Sequence, residues 1–230
     1  MTTANSAKSS DDYDDFLSFV GGGAPLPPPP RNEASPAAPA QMANSSVIKI
    51  LGLSGSLRAQ STNSGLLRHA MAVASSRSDV LMTTFNIGDL PLFNADLVGE
   101  NEPAAVKAFR AAVADADAFF FACPEYNYSM TAAMKNALDW PSNPSNDYKG
   151  KVGAVVGAGG GAGTARAQLA LRHSALFLDI TMVNTPEVCI NRFAEAGAFD
   201  QDGNLVCEKH QEWIADMLNR LVDLAKKFKE

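Results

Sequence analysis

The chain has 230 residues, of which 46% are hydrophobic and 19% charged, enough to bury one sizeable core. Its formal charge of -6 and pI near 5.1 argue against a nucleic-acid surface, because phosphate contacts need clustered lysine and arginine. Three widely spaced cysteines without a Cys-x-x-Cys or Cys/His grouping favour a reducing compartment and indicate no metal site.

The first 46 residues differ in composition from the rest. They hold seven of the 13 prolines, four of them in a row at 27–30, and a glycine triplet at 21–23. Such a segment cannot bury enough apolar surface to offset its ordering entropy, so we predict a disordered tail over 1–46 and one domain over 47–230. Residues 11–20, DDYDDFLSFV, are either a docking motif for an unknown partner or a solvated acidic stretch.

The start of the chain lacks the features of a targeting segment. It has neither the basic start and continuous apolar core of a signal peptide nor the arginine-rich composition of a transit peptide. No window reaches the roughly 18 apolar residues of a membrane span. We therefore expect a cytoplasmic protein that does not cross a membrane.

From Val47 onward, short apolar runs alternate with helical patterns, which predicts an α/β protein with a parallel sheet covered by helices on both faces. The predicted strands are 47–53, 80–85, 116–123, 151–157 and 180–184. Five helices are predicted: one after the first loop, one from Pro103, one from residue 131, one from residue 163 and one after the last strand. The final helix is expected to bury Trp213, Met217, Leu221, Leu224 and Phe228. Ligands of such sheets bind beyond the carboxyl ends of the strands.

The loop after the first strand, residues 54–64, is rich in hydrogen-bond donors. Free N–H groups at the start of the following helix favour an anion, and Arg58 offers a guanidinium to phosphate oxygens. The donating side chains are Ser56, Ser61, Thr62, Asn63 and Ser64. The alternative is a capped helix, with Ser61 or Thr62 as the N-cap and Arg58 merely solvated. The loop lacks the GxxxxGK[ST] pattern of nucleoside-triphosphate sites.

Two further loops follow the third and fourth strands. The turn Pro-Glu-Tyr-Asn at 124–127 is expected to project backbone N–H groups toward the same crevice. The stretch GAGGGAGTARAQ at 157–168 fits a loose GxGxxA pattern, so a classical dinucleotide-binding fold is a competing interpretation. For Gly161 and Gly163, a turn that needs glycine only for its geometry is a further alternative.

Three motifs in this order, GSLRAQSTNSGLL, DLPLFNADL and PEYNYSMTAAMKNALDW, resemble the NAD(P)H-dependent FMN reductases, which include quinone, azo-dye and chromate reductases. The resemblance is closest to the NADPH:quinone reductase branch and covers about residues 47–228. It implies a flavodoxin-like three-layer fold with five parallel strands in the order 2-1-3-4-5. It also implies FMN as the cofactor and NADPH or NADH as the electron donor.

The resemblance assigns site residues where the motifs match. The FMN phosphate corresponds to Ser56, Arg58, Ser61, Asn63 and Ser64, with Thr62 contributing its backbone. The isoalloxazine ring corresponds to Pro124, Glu125, Tyr126 and Asn127, mostly through backbone groups, and to the glycine-rich loop at Gly159 and Gly160. No side chain is assigned as catalytic, because the flavin carries the redox chemistry. Arg166 and Gln168 are candidates for contact with nucleotide or with a neighbouring subunit.

The resemblance also implies the reaction. Hydride passes from NAD(P)H to the flavin, and a flat acceptor then takes the nucleotide's place in a ping-pong scheme. Quinone, azo dye, chromate and free flavin stay open as acceptors, and so does the preference for NADH or NADPH. Relatives suggest a homodimer or homotetramer built through the region 131–140. Two alternatives are a flavodoxin-type electron carrier without NAD(P)H turnover and a noncatalytic scaffold or sensor working through the acidic tail.

Overall fold

The computed structural model describes residues 47–230, so the predictions for the tail at 1–46 and the motif at 11–20 lie outside the described residues. The strands are β1 Ile48–Ser54, β2 Val80–Thr84, β3 Ala118–Ala122, β4 Val152–Gly159, β5 Thr181–Met182 and β6 Val188–Asn191. The helices are α1 Thr62–Ser75, α2 Ala104–Asp115, α3 Ala132–Asp139, α4 Ala165–Leu178 and α5 Glu208–Lys229.

The strands form one parallel sheet in the order β2-β1-β3-β4-β5, which confirms the predicted order. Beyond β4, the position expected for one strand at 180–184 is divided between β5 and the unpredicted strand β6. Val156 of β4 pairs with Val188 of β6, and Gly159 pairs with Asn191. Pro186 and its polar neighbours separate the two short strands, because proline donates no backbone hydrogen bond to a ladder.

The sheet separates two apolar cores, one on each face. Residues alternate between faces along each strand, so that Phe120 packs on the side of α1 and α5, whereas Phe119 and Phe121 pack on the side of α2, α3 and α4. All five residues of β3 are buried, as expected for a central strand with helices on both faces. This is the predicted three-layer arrangement.

The core-facing side of α5 lies differently from the prediction. Met217 and Leu221 are buried as expected, but Trp213 and Leu224 are only partly buried and Phe228 is half exposed. The buried face runs instead through Ile214, Leu218, Leu221, Val222 and Ala225. The predicted set had the correct helical spacing but was centred on the wrong side, because it gave the large aromatic residues priority over the smaller ones.

The apolar side of α3 belongs to the core. Met134, Ala137 and Leu138 are buried, and Trp140 donates its indole N–H to the carbonyl oxygen of Pro91 at 2.8 Å. The side chain of Asn136 donates to the same oxygen at 2.8 Å, which fastens the 87–97 loop to α3. Between residues 47 and 230, no helix has the length and apolarity needed to span a membrane.

Candidate functional site

A cleft of about 320 Å³ lies at the carboxyl edge of the sheet, where the loops after β1, β3, β4 and β6 meet. Ten of the twelve residues predicted for the site line it: Ser56, Arg58, Ser61, Thr62, Asn63, Pro124, Glu125, Tyr126, Gly159 and Gly160. Ser64 and Asn127 are not among the lining residues. The cleft also contains Ala158, Arg192 and Phe193, which the sequence did not suggest. Its volume is within the ~300–1,000 Å³ of small-molecule and cofactor sites.

The first loop ends in a capped helix whose N-terminus opens into the cleft. Ser61 is the N-cap of α1, and its hydroxyl oxygen accepts the N–H of Ser64 at 3.4 Å. The N–H groups of Thr62 and Asn63 have no acceptor among residues 47–230. The capped-helix and phosphate-cradle interpretations are therefore compatible, because the cap uses a different N–H from those left available.

Two residues of the predicted phosphate set have their side chains engaged elsewhere. The Asn63 amide donates to the carbonyl oxygen of Ala158 at 2.8 Å and accepts the N–H of the same residue at 3.0 Å. The Ser64 hydroxyl lies 2.9 Å from that of Ser54, facing a separate hollow beside β2. Asn63 can therefore offer the cleft its backbone N–H, and its side chain ties α1 to the end of β4.

Arg58 and Ser56 complete the polar end of the cleft. The Ser56 hydroxyl oxygen accepts the backbone N–H of Arg58 at 3.4 Å, which shapes the turn between them. The guanidinium of Arg58 is exposed and has no ion pair among the described residues. A cation beside two free backbone N–H groups is suited to a phosphate.

The second loop forms a tight hairpin turn. Tyr126 and Ser129 exchange two backbone hydrogen bonds of 3.0 Å, and the two residues between them, Asn127 and Tyr128, have φ values of 50° and 68°. Positive φ at both central residues is the signature of a type I′ turn, in which asparagine is favoured and tyrosine is not. The predicted N–H donor of Tyr126 is thus used within the turn.

Glu125 joins the hairpin to the first turn of α4. Its carboxylate accepts hydrogen bonds from Arg166 Nε at 2.8 Å and from the backbone N–H groups of Arg166 and Ala167 at 2.9 and 3.2 Å. Burial raises the pKa of Glu125, but these hydrogen bonds outweigh it and leave the pKa below its ordinary value. The Arg166 guanidinium also lies 3.8 Å from the ring centre of Tyr128.

The glycine-rich loop is shaped by close backbone contacts. Gly163 has a φ of 65°, and a side chain there would begin 2.6 Å from the backbone of Cys189. Geometry alone therefore requires this glycine. Gln168, a candidate for nucleotide contact, is buried, and its amide donates to Thr164 Oγ1 at 3.1 Å and to the carbonyl oxygen of Val188 at 2.8 Å. The expected contact of Gln168 with a nucleotide was wrong, because its buried amide binds Thr164 and Val188 within the protein and so stabilises the glycine-rich loop.

The loop after β6 supplies a wall of the cleft that sequence reasoning missed. The N–H of Arg192 donates to the carbonyl oxygen of Gly159 at 3.0 Å, which extends the β4–β6 pairing to the rim. Asn191 accepts the N–H groups of Phe193 and Ala194 at 3.1 Å and donates to the carbonyl oxygen of Gly161 at 2.7 Å. The only sequence signal was an apolar run, Val-Cys-Ile, followed by Asn-Arg-Phe.

Cys123 and the three histidines lie outside the chemistry of the cleft. Burial raises the pKa of the Cys123 thiol to about 11, so this cysteine packs as a small apolar group. His173 is exposed on α4, and His69 is partly buried on α1. His210 is buried beside Trp213 with its Nε2 2.6 Å from the Glu195 carboxylate. None of them lines the cleft.

These features define a flavodoxin-like α/β protein with a cleft at the carboxyl edge of a parallel sheet, lined by free backbone N–H groups, an exposed arginine and aromatic side chains. The chain belongs to the NADPH-dependent FMN reductase family, whose sequence model matches residues 48–195. The resemblance drawn from the three motifs is therefore confirmed. Membership makes the protein an enzyme that uses FMN and NAD(P)H, and it sets aside the carrier and scaffold alternatives.

Individual relatives agree with this assignment. A potato NAD(P)H:quinone oxidoreductase is 44% identical over 190 residues, which is 82% of this chain and 98% of the relative. An NAD(P)H-dependent FMN reductase of Pseudomonas aeruginosa is 43% identical, over 76% of this chain and 93% of its own. The solved structure of FerB, a flavoenzyme NAD(P)H:(acceptor) oxidoreductase from Paracoccus denitrificans, superposes with a TM-score of 0.70 at 32% identity. That match covers 79% of this chain and 99% of FerB.

The residues of the cleft fit FMN. The polar end offers the N–H groups of Thr62 and Asn63 together with Arg58 to a phosphate monoester. The cleft is also lined by Pro124 and Tyr126, whose flat side chains suit a planar ring.

Proposed function

We propose that this protein is an FMN-dependent NAD(P)H oxidoreductase that delivers two electrons to quinones by a ping-pong mechanism. The family assignment supplies the class of reaction, and the cleft supplies the support for the details. The observation that carries the proposal is that free backbone N–H groups, the exposed Arg58 and the flat side chains of Pro124 and Tyr126 line one cleft.

The residues have separate tasks in this proposal. Thr62 and Asn63 offer backbone N–H groups, and Ser56 and Arg58 offer a hydroxyl and a guanidinium, to the phosphate of FMN. The hairpin beginning at Tyr126 borders the ring. When bound, FMN supplies the hydride-accepting and hydride-donating chemistry. The residues that line the cleft would orient the ring, and the opening of the cleft would admit a second flat molecule.

The arrangement of the cleft is compatible with a ping-pong scheme. The predicted cofactor residues meet in one cleft of about 320 Å³, so a donor and an acceptor would reach a flavin bound there through the same opening, one after the other. A quinone suits this opening because it is flat and needs few specific contacts. The quinone reductase name of the potato relative supports the same acceptor class.

The test is a titration of the purified, flavin-free protein with FMN, followed by turnover. We expect a yellow complex that oxidises NADPH when a benzoquinone is present, with parallel double-reciprocal plots. A protein that does not bind FMN, or that binds it without oxidising NAD(P)H, would contradict the proposal. Intersecting plots would reject the ping-pong scheme only.

Arg58→Gln tests the phosphate assignment within the same experiment. We expect it to weaken FMN binding by about tenfold or more, because a charge-assisted hydrogen bond is worth about 1.5–3 kcal/mol. Riboflavin, which lacks the phosphate, should bind wild type and variant equally. Arg220→Gln is the matched control, since Arg220 is an exposed arginine on α5 that pairs with Asp216 far along the chain from the cleft residues.

We also propose that the protein is a cytoplasmic homo-oligomer, either a dimer or a tetramer. Leu176 and Phe177 on the outer side of α4 are 77% and 84% exposed. Neighbouring large apolar side chains that are exposed in a single chain are typical of a surface that another subunit covers. The three free cysteines are in keeping with a reducing compartment. Light scattering of wild type and of Phe177→Glu tests the assembly, and fractionation of cells tests the location; a monomeric wild type would contradict the first.

A further inference from the structure

The arginines of the described chain fall into two groups. Six have an acceptor for their guanidinium: Arg68, Arg77, Arg110, Arg166, Arg172 and Arg220. Among the eight arginines at positions 47–230, only Arg58 and Arg192 have no hydrogen-bond acceptor or ion pair for theirs, and both line the same cleft. In a protein with 25 acidic and 19 basic residues, two unpaired arginines in one cleft point to an anion supplied from outside.

Arg192 is held in place before any ligand binds. Its backbone N–H donates to Gly159, and Asn191 fixes the turn that follows by accepting the N–H groups of Phe193 and Ala194. The Arg192 guanidinium lies 4.8 Å from the ring centre of Phe193. Stacking on an aromatic face restrains the side chain yet leaves its N–H donors available.

The cleft carries an excess of positive charge, which also favours an anion as its ligand. Its charged lining residues are Arg58, Arg192 and Glu125, and the carboxylate of Glu125 is already neutralised by Arg166. The two free cations are carried by different loops, one after β1 and one after β6. Both loops reach the end of β4, since Asn63 bonds Ala158 and Arg192 bonds Gly159.

We propose that Arg192 is a second phosphate-binding residue of the cleft, additional to the loop that carries Arg58. The proposal rests on the function proposed above and deepens it by naming a contact to a phosphate ester. Two molecules of the reaction carry such a group, FMN with its phosphate monoester and NADPH with its 2′-phosphate and pyrophosphate. Arg192 recognises the phosphate with its guanidinium, as a planar donor fork does.

Arg192→Gln, Arg192→Lys and the control Arg220→Gln separate these sources. For Arg192→Gln we expect a loss of about 10- to 100-fold in one phosphate-dependent quantity. If the phosphate belongs to FMN, the Kd of FMN rises and that of riboflavin is unchanged. If it belongs to the donor, the KM of NADPH rises at saturating FMN, and comparison with NADH separates the 2′-phosphate from the pyrophosphate. Arg192→Lys should recover part of the loss.

Failure of this inference is distinguishable from failure of the proposed function. A working FMN enzyme in which Arg192→Gln matches wild type with FMN, NADPH and NADH would overturn the role of Arg192 alone. A wild type that ignores FMN and NAD(P)H would overturn the proposed function. Thermal unfolding of the flavin-free protein with inorganic phosphate then still tests Arg192: we expect phosphate to raise the Tm of wild type more than that of Arg192→Gln, and equal shifts would reject the role.

Discussion

Asn63, near the start of α1, and Ala158, near the end of β4, exchange two hydrogen bonds of 2.8 and 3.0 Å. One amide side chain therefore satisfies both backbone groups of a residue 95 positions away. Because both residues are buried, the contact fixes the start of α1 against the strand end that leads into the glycine-rich loop.

Asn63→Ala should lower the free energy of unfolding by about 2–4 kcal/mol, because it leaves a buried N–H and a buried carbonyl without partners, at about 1–3 kcal/mol each. Urea unfolding of the flavin-free protein measures it. Ser64→Ala, at the next position, is the control and should cost less, since its hydroxyl meets only the Ser54 hydroxyl. A loss below about 0.5 kcal/mol for Asn63→Ala would mean that the contact adds nothing to stability.

Arg166→Met should loosen the hairpin side of the cleft without touching the phosphate side. It removes the guanidinium that stacks on Tyr128 and bonds Glu125, contacts that together are worth about one kcal/mol at a partly exposed site. We expect FMN and riboflavin to bind about two- to tenfold more weakly, by the same factor. Fluorescence titration measures both, and a loss confined to FMN would place Arg166 at the phosphate instead.

Gly65→Ala should destabilise the protein even though alanine is the better helix former. A β-carbon at this position would lie 1.8 Å from the carbonyl oxygen of Gly203, so the turn that packs on α1 has to move. Helix propensity alone predicts a gain of about 0.5–1 kcal/mol, whereas overpacking costs about 1–3 kcal/mol. Gly197→Ala is the control, because nothing lies within 4 Å of its added carbon. A Tm at or above that of wild type for Gly65→Ala would refute the steric argument.

Acid should weaken the attachment of α5 through Asp79. Hydrogen bonds from Arg77 and then Lys226 hold the pKa of this carboxyl well below its ordinary value in the folded state. Its contribution to stability is therefore present above the unfolded pKa of about 3.9 and is lost as the pH falls further. The unfolding free energies of wild type and Asp79→Asn should differ by a constant amount near pH 6, and the difference should begin to shrink below about pH 4. A difference that does not shrink would contradict this origin, and Lys226→Gln should remove part of the same pH dependence.

The sequence was most informative where neighbouring residues act together. Ser56, Arg58 and the start of α1 are close together in the sequence, so their placement beside one cleft at a helix N-terminus could be predicted from the motif. The fate of the Asn63 side chain could not, since an amide suits a phosphate and a buried backbone equally well and its partner is distant in sequence. The partner of the Asn63 amide is set by the position of β4 beside α1, which becomes apparent only in the folded structure.

The presence of Arg192 in the cleft could not be predicted from the sequence, for a different reason. Its place in the cleft depends on β6, a four-residue strand that follows Pro186 and pairs with β4. Short strands carry little periodicity, and this one is defined by the neighbour it pairs with. The prediction of the buried face of α5 was likewise wrong, because Trp213 and Phe228 dominate the apolar pattern of this helix. In the structure the smaller Ile214 and Val222 are the residues that pack in the core.

At the left-handed pair Asn127–Tyr128, the stability of the turn and the contact of the tyrosine ring with Arg166 make opposite demands on the sequence. A turn with positive φ at both central residues is most stable with the dipeptide Asn-Gly. Glycine in place of Tyr128 would remove an exposed aromatic ring, against whose face the Arg166 guanidinium lies. Because Arg166 also holds the Glu125 carboxylate, which lines the cleft, a more stable turn would come with a less firmly held cleft wall.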